Sequence, residues 1–450
     1  MAQFFKAKPK ASKGLAKAIE LTIERLDHQG AGIAEHSGQV VFVPGALPGE
    51  KVKAQLSQQK KRFAHAKLIK VLSPSEHRIA PQCPHYAQCG GCDLQHLAIE
   101  QQRQAKAASL QSLIAKYSKQ PLPTLQPAIT ADQWGYRRRT RLSLKPKPSG
   151  GFAFGFRAKA SDKIIDIQEC PILEPQLAKC LSELRQTLSA MRNIKAIGHI
   201  ELIQAGEQSI LLLRLLKSLN SKDMNSWQAL AQSQGLRLLA RDNQGQHQAL
   251  DGGELNFAYA VQAAKEEPKL DIGFQPDAFI QVNDQINQQM VAQAVEWLAP
   301  SPNERILDLF CGVGNFSLPI AAQQPKAEVI AVEGVKEMVA QGRDNAKSAA
   351  LDNLTFYHED LSDFELRRPW LEPCDKLLLD PARAGAAEVL TQLAKLQPNT
   401  VVYVSCNPAS LARDSQILLE QGYQLKKLKL VDMFPQTHHL ESIALFRKVG

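Results

Sequence analysis

The sequence predicts a multidomain α/β protein with a small N-terminal β-barrel, a central α+β domain and a C-terminal open α/β sheet. Three observations predict it. Short alternating strands separated by glycine turns run from about Ala18 to Leu72, the pattern of an OB-type barrel. Near the other end, Val401–Val404 is a run of strand-forming residues that leads through Ser405 and Cys406 into Asn407-Pro408. An apolar run stopped by a breaker reads as a buried parallel strand. Before it, Arg305–Leu309 is an apolar strand that enters a glycine-rich turn, Gly312-Val-Gly314-Asn315, and then a helix. Open α/β sheets place ligands at the carboxyl ends of such strands, so Cys406 stands at the lip of a crevice. A cysteine there is either a nucleophile or a small apolar filler.

The 450 residues allow two or three domains. No apolar run is long enough to span a bilayer. Met1–Lys13 is basic but lacks the apolar segment of a secretory signal, so a cytoplasmic protein without membrane attachment is expected. Eight cysteines in a chain of this size point to metal or catalytic roles rather than a disulfide scaffold. The net charge is +9, and residues 1–74, with 13 Lys/Arg against 5 Asp/Glu, carry +8 of it. That asymmetry predicts a polyanionic partner, most simply nucleic acid.

In chain order, residues 1–13 are expected to be a disordered basic tail and residues 14–74 the barrel. Lys51, Lys53, Lys60, Lys61, Arg62, Lys67 and Lys70 would give the barrel a surface that tracks a phosphate backbone. The segment resembles the TRAM domain of RNA-modifying enzymes. Residues 75–268 form the expected central domain. It opens on Cys83, Cys89 and Cys92, with Gly90-Gly91 between the last two, which could wrap thiolates around one centre. Cys170, which like Cys83 precedes a proline, is the best candidate for a fourth ligand. Four-cysteine zinc is one reading, and three clustered cysteines with a distant fourth suit a [4Fe-4S] cluster. His96–Lys119 is a helix-favouring stretch that could pack on the catalytic domain. Tyr136–Lys147 carries six basic residues and no acid on what reads as a strand. It is expected to be exposed, as a phosphate contact or as a charged edge strand.

Residues 269–450 carry the chemistry. The turn after Leu309 is G-x-G-N rather than a dinucleotide or phosphate-loop fingerprint. The next strand, ending in Glu333, places a carboxylate where it could accept both hydroxyls of a ribose. Loop and acid together resemble class I (Rossmann-like) S-adenosylmethionine-dependent methyltransferases. Asp360 and Asp380 end two further strands. Cys311 lies inside the loop and is expected to pack; Cys180 and Cys374 have no partner pattern.

The motifs LDLFCGVGNFSLP (residues 307–319), LLLDPARAG (377–385), YVSCNP (403–408) and HLES (439–442) match the uracil-5 RNA methyltransferases. The TRAM-like start and cysteine cluster bring the likeness closest to members acting on 23S ribosomal RNA. The resemblance implies Cys406 as nucleophile and Glu441 as base. It implies Gln281, Phe310, Asn315, Glu333, Asp360 and Asp380 around cofactor and uracil, and Cys83, Cys89, Cys92 and Cys170 as ligands of a [4Fe-4S] cluster. A monomer that flips its target base from structured RNA is expected. A tRNA uracil-5 methyltransferase shares the catalytic motifs, and a non-catalytic assembly factor would leave Cys406 and Glu441 without a role.

Overall fold

The computed structural model describes residues 18–118, 121–147, 150–264, 266–361 and 368–449. The tail expected over residues 1–13 lies outside them. The chain forms two compact units, Met1–Pro81 with Asp93–Ala105, and Gln82–Cys92 with Lys106–Gly450. Among the described residues, no helix is long and apolar enough to cross a membrane.

The first unit is a six-stranded sheet of β1 (Ala18–Thr22), β2 (Arg25–Leu26), β3 (Ala31–His36), β4 (Gln39–Pro44), β5 (Lys51–Gln59) and β6 (Phe63–Ser73), ordered β1-β5-β6-β4-β3-β2. Strand alternation decides its inside. Val41 and Val43 of β4, Ala64 and Ala66 of β6, and Val52 and Ala54 of β5 point into one apolar cluster, while the intervening lysines stay in solvent. Gly32 is required where β3 passes the 43–47 turn, because a Cβ there would lie 2.8 Å from the Ala46 carbonyl oxygen. Glu50 is buried, yet its carboxyl sits below its ordinary range. Burial pushes it up, but Arg78, 2.5 Å away, and the Leu47 amide outweigh that.

In the second unit, β7 (Gln126–Ile129) is followed by seven strands of one sheet. These are β8 (Arg139–Pro146), β9 (Phe152–Arg157), β10 (Ile164–Asp166), β11 (Ile197–Ala205), β12 (Gln208–Leu215), β13 (Leu236–Arg241) and β14 (His247–Ala249), ordered β10-β9-β8-β11-β12-β13-β14. The basic strand is therefore interior, and the expectation of an exposed ladder fails for its first half. Arg138 is 2% exposed. Its Nε donates to the Gln281 carbonyl (2.7 Å), its Nη1 to Asp284 (2.5 Å), and its guanidinium stacks on Tyr259. Arg139 and Arg141 both donate to buried Glu201 on the neighbouring β11. Burial alone would raise the Glu201 carboxyl, but His199 and the two arginines bring it down to about 2. Arg141, although it donates to Glu201, remains exposed, as do Lys145 and Lys147.

A hairpin, β15 (Phe257–Val261) and β16 (Leu270–Phe274), comes next, and the expected domain boundary at 268/269 falls between its strands. Phe257, Tyr259, Ile272 and Phe274 share an apolar cluster with Ile306 and Phe356 of the C-terminal sheet and with Phe316, which precedes helix Ser317–Gln323. That sheet consists of β17 (Arg305–Leu309), β18 (Glu328–Glu333), β19 (Leu354–His358), β20 (Lys376–Leu379), β21 (Thr400–Ser405), β22 (Tyr423–Val431) and β23 (Glu441–Lys448), with β7 added at one edge. Its order is β19-β18-β17-β20-β21-β23-β22-β7, and β23 runs antiparallel to both neighbours. Chain progression reverses between β17 and β20, which opens a crevice at their carboxyl ends. Alternation along β17 sends Ile306 to one face, against the hairpin and helix Asp284–Leu298, and Leu307 and Leu309 to the other. On that second face lie Leu110 and Ile114 of helix Ile99–Tyr117.

Candidate functional site

The sheet brings five of the expected residues to one crevice. Phe310 follows β17, Glu333 ends β18, Asp380 follows β20 and Cys406 follows β21. Glu441 is the first residue of β23, and because β23 is antiparallel its start lies at the same end. The register sets Ser405 opposite Ser442, so Cys406 and Glu441 come at the same end of adjacent strands, near enough for the Glu441 charge to act on the Cys406 thiol.

The turn carrying Cys406 is tightly tied. Ser405 Oγ donates to the Asn407 carbonyl and accepts from the Asn407 amide, while Asn407 Nδ2 donates to the Arg383 carbonyl (2.9 Å). Asn407 Oδ1 also accepts from the Ala409 amide, capping the helix that opens at Pro408. Cys406 itself is half-buried. Burial, then the Glu441 and Asp380 carboxylates, push its thiol up to about 11, with the Arg383 guanidinium pulling the other way. Cys311, the rival nucleophile, is buried and its thiol is pushed far above the ordinary range, as suits a packing residue. Cys374 is likewise buried, as is Cys180, whose Sγ donates to the Gln176 carbonyl.

Acids crowd this end of the sheet. Glu441 is 5% exposed, and burial and Asp380 push its carboxyl up to about 8 against the pull of Lys106. Burial takes Asp380 to about 7. Asp308, in mid-strand on β17, reaches about 7 through burial and the Asp380 and Glu333 charges, although Ser317 hydrogen-bonds it. Among the described residues, Asp308 Oδ1 and Glu441 Oε2 are buried without a hydrogen-bond partner. Buried carboxylates with spare acceptors call for a cationic or donor-rich ligand.

The loop after β17 leaves room for such a ligand. Phe310 adopts φ +67°, a strained conformation for a bulky residue, and swings the chain into the loop. A Cβ on Gly312 would meet nothing within 4 Å, so the backbone there faces open space. Glu333 accepts from the Gly312 amide (3.1 Å) and the Val335 amide (3.0 Å), which fixes its carboxylate beside the loop. Asn315 is placed differently from expectation. Its Oδ1 accepts from Tyr259 Oη and Asn287 Nδ2, and its Nδ2 donates to Asn287, so its amide pins the loop to the hairpin. Gln281 is buried on the segment that Arg138 holds, and exposed Asp360 lies beyond β19.

Sequence reading missed Lys106, Tyr136, Tyr259 and Asp308. An acid inside the apolar strand RILDL was a readable signal for Asp308; the other three had none.

The cysteines of the 83–92 loop lie in the second unit with Cys170. The Gly91 amide donates to Cys89 Sγ (3.4 Å), and Gly90 passes so close to the Arg157 carbonyl that a Cβ would lie 3.0 Å from it. Burial and the charges of Cys92, Cys83 and Cys89 raise the Cys170 thiol to about 12. Among the described residues, no group of three or more His, Cys, Asp or Glu side chains is assembled to hold a metal ion.

Comparison with known proteins gives the following likenesses. The tRNA (uracil-5-)-methyltransferase family model matches residues 98–449, and the TRAM domain model matches residues 16–69. A protein of Shewanella baltica (strain OS223) is 52% identical over 449 residues, 99% of each chain, and one of Shewanella sediminis (strain HAW-EB3) is 52% identical over 448 residues. Both are named 23S rRNA (uracil(1939)-C(5))-methyltransferase RlmD. The crystal structure of Pyrococcus abyssi tRNA (uracil-54, C5)-methyltransferase with S-adenosyl-L-homocysteine superposes with a TM-score of 0.73, covering 95% of this chain and 100% of that one. At 21% identity that likeness speaks to the fold alone.

Proposed function

The chain belongs to the uracil-5-methyltransferase family, and on that premise we propose that it methylates carbon 5 of a uridine in 23S ribosomal RNA. S-adenosylmethionine supplies the methyl group, and the relatives named for uridine 1939 point to the same nucleotide. The observation that carries the reading is the nearness of Cys406 and Glu441 at the crevice end of adjacent strands.

When bound, S-adenosylmethionine offers an electrophilic methyl group and a positive charge. The chain's residues do the rest. Carbon 5 of uracil is a weak nucleophile, and attack of the Cys406 thiolate on carbon 6 turns carbon 5 into an enolate-like centre. A thiol at about 11 is protonated near neutrality, so Cys406 gives up its proton only once added positive charge offsets Glu441 and Asp380. Arg383 acts in the same direction. After methyl transfer, Glu441 removes the proton at carbon 5, the enolate re-forms, and the Cys406–carbon 6 bond breaks to release thiolate and 5-methyluridine. Asp380 would hydrogen-bond the uracil edge, and Phe310 and Glu333 would line the cofactor side, joined by Gln281 from the segment Arg138 holds and by Asp360 from beyond β19. Asn315 serves that side by holding the loop in place. A base held in a stack cannot reach a crevice of this kind, so the target nucleotide is flipped.

Cys83, Cys89, Cys92 and Cys170 are read as ligands of a [4Fe-4S] cluster. All four are thiols outside any disulfide, and the charges of three act on the fourth. A single zinc needs four thiolates gathered on one ion, whereas a cubane holds each on its own iron and spaces them more widely. The cluster would pin the 83–92 loop to the Cys170 turn. Acid-labile sulfide and iron lost in Cys170→Ser would support it; zinc retained by both proteins would replace it.

The function is tested by trapping. A 23S fragment carrying 5-fluorouridine has no proton at carbon 5 to lose, so its adduct with Cys406 survives a denaturing gel. The expected band is absent with Cys406→Ala and with tRNA. A band with tRNA alone would reassign the substrate, and no band with either RNA would favour a silent RNA binder.

A further inference from the structure

The chemistry asks for an ionised Glu441 at the moment the carbon 5 proton is taken, and burial opposes that ionisation. The groups facing Glu441 are Asp380 after β20, Cys406 after β21, and Lys106 from helix Ile99–Tyr117. The two on the sheet are acids whose ionised forms oppose a further negative charge. Lys106 is the cation, and it is 3% exposed, 326 residues away along the chain from the aspartate it pairs with. Its Nζ donates to Asp432 Oδ1 at 2.7 Å and to the Phe434 carbonyl at 3.0 Å. Asp432 follows directly on β22, whose last residue, Val431, is paired with Glu441. The segment between Asp432 and Glu441 also accepts a hydrogen bond from Tyr136 Oη at Pro435 and contains Gln436 at φ +68°. Lys106 thus acts on the base in two ways: it fixes the segment leading into Glu441 and sets a positive charge behind it.

We propose that Lys106 is a positioning residue for the base, holding the Asp432–Leu440 segment and keeping the Glu441 carboxylate available for proton removal from carbon 5. The inference rests on the reading of Glu441 as that base. Its content is selective. Thiol attack and methyl transfer come before Glu441 acts, so loss of the Lys106 charge slows the last step and spares the earlier ones. Each unit by which the Glu441 carboxyl rises removes about tenfold of its ionised fraction below its midpoint.

The test follows one turnover on a 23S fragment with ordinary uridine, tritiated at carbon 5, and S-adenosylmethionine labelled in its methyl group. Methyl transfer, covalent adduct and tritium release to water are timed separately between pH 6 and pH 9. Lys106→Met is expected to transfer the methyl group at close to the parent rate, accumulate methylated adduct, and release tritium about tenfold or more slowly, with the release profile moved to higher pH. Lys106→Arg is expected to restore most of the release. Asp432→Asn, which keeps the cation and removes its neutralising partner, is expected to move the release profile to lower pH. Equal slowing of transfer and release, with an unmoved profile, would reduce Lys106 to a packing residue and overturn the proposal. So would release at the parent rate. If Lys106→Met fails to fold, as judged by its melting curve, the Asp432→Asn profile decides, and an unmoved profile sinks the idea. Glu441→Gln is run alongside: tritium released from it at the parent rate would instead remove the reading of Glu441 as base.

Discussion

Cofactor binding should be tightly linked to protons. Asp308 and Asp380 both sit at about 7, far above the ordinary aspartate range: burial raises both, and the Asp380 and Glu333 charges add to it at Asp308. At pH 7 each is therefore about half ionised. S-adenosylmethionine brings a sulfonium, and a positive charge at this crevice favours the ionised carboxylates. Raised acids that a cation pulls down release protons on binding, so affinity rises as pH increases through their midpoints. From pH 8 to pH 6 the ionised fraction of each falls about tenfold. Affinity should accordingly drop about tenfold if one ionisation is required and about a hundredfold if both are, with roughly half a proton released at pH 7 in the first case and roughly one in the second. Calorimetric titration in buffers of different ionisation enthalpy measures that proton directly. Asp380→Asn should flatten the slope towards the single-group value, and S-adenosylhomocysteine, without the sulfonium charge, should show a shallower slope. Heats independent of buffer, with affinity constant from pH 6 to pH 8, would refute the electrostatic account of the site.

Three further expectations concern the scaffold. Tyr403 Oη donates to buried Asp414 at 2.7 Å, and Asp414 also accepts from the Ala386 amide and Arg413, so Tyr403→Phe should cost about 1.5–3 kcal/mol in urea unfolding. Glu201, held at about 2, stabilises the fold above the ordinary carboxylate range, and that contribution is lost as pH falls towards 2; Glu201→Gln should weaken the protein at neutral pH and flatten its acid limb. Gly314, at φ +100°, leaves no room for a side chain, since a Cβ would collide with Leu318 Cδ1 and crowd Phe356; Gly314→Ala should weaken S-adenosylmethionine binding while leaving RNA binding near its parent value in a gel-shift titration.

Residues whose positions depend on local pattern were readable from the chain. Cys406, Asp380, Glu333 and the glycine loop each terminate an apolar strand, and strand ends of an open sheet share an edge whatever the loops between them do. Contacts made across long sequence separations were not readable. Arg138 and Arg139 look like an exposed basic run until β11 brings Glu201 beside them and the Gln281 segment covers them. Lys106 is one of two lysines on a polar helix, and only the folded sheet sets Asp432 against it. Asn315 carries a family motif, yet its amide is spent on Tyr259 and Asn287, partners that no spacing rule connects. The addition of β7 to β22 belongs to the same class: four residues of modest strand character gain their place from a distant edge.

That added strand has a consequence for how the protein is made. Gln126 pairs with Lys429, so an early segment leaves the ribosome roughly 300 residues before its partner exists. At roughly 5–20 residues per second, it waits on the order of 15–60 seconds. Lys106 waits equally long for Asp432, and Cys406 gains Glu441 only once β23 has been made. The barrel can fold while translation continues, but this side of the C-terminal sheet forms well after it. A nascent or truncated chain without β23 therefore lacks both Glu441 and the strand beside β21, and the crevice is complete only when that strand has joined its neighbours.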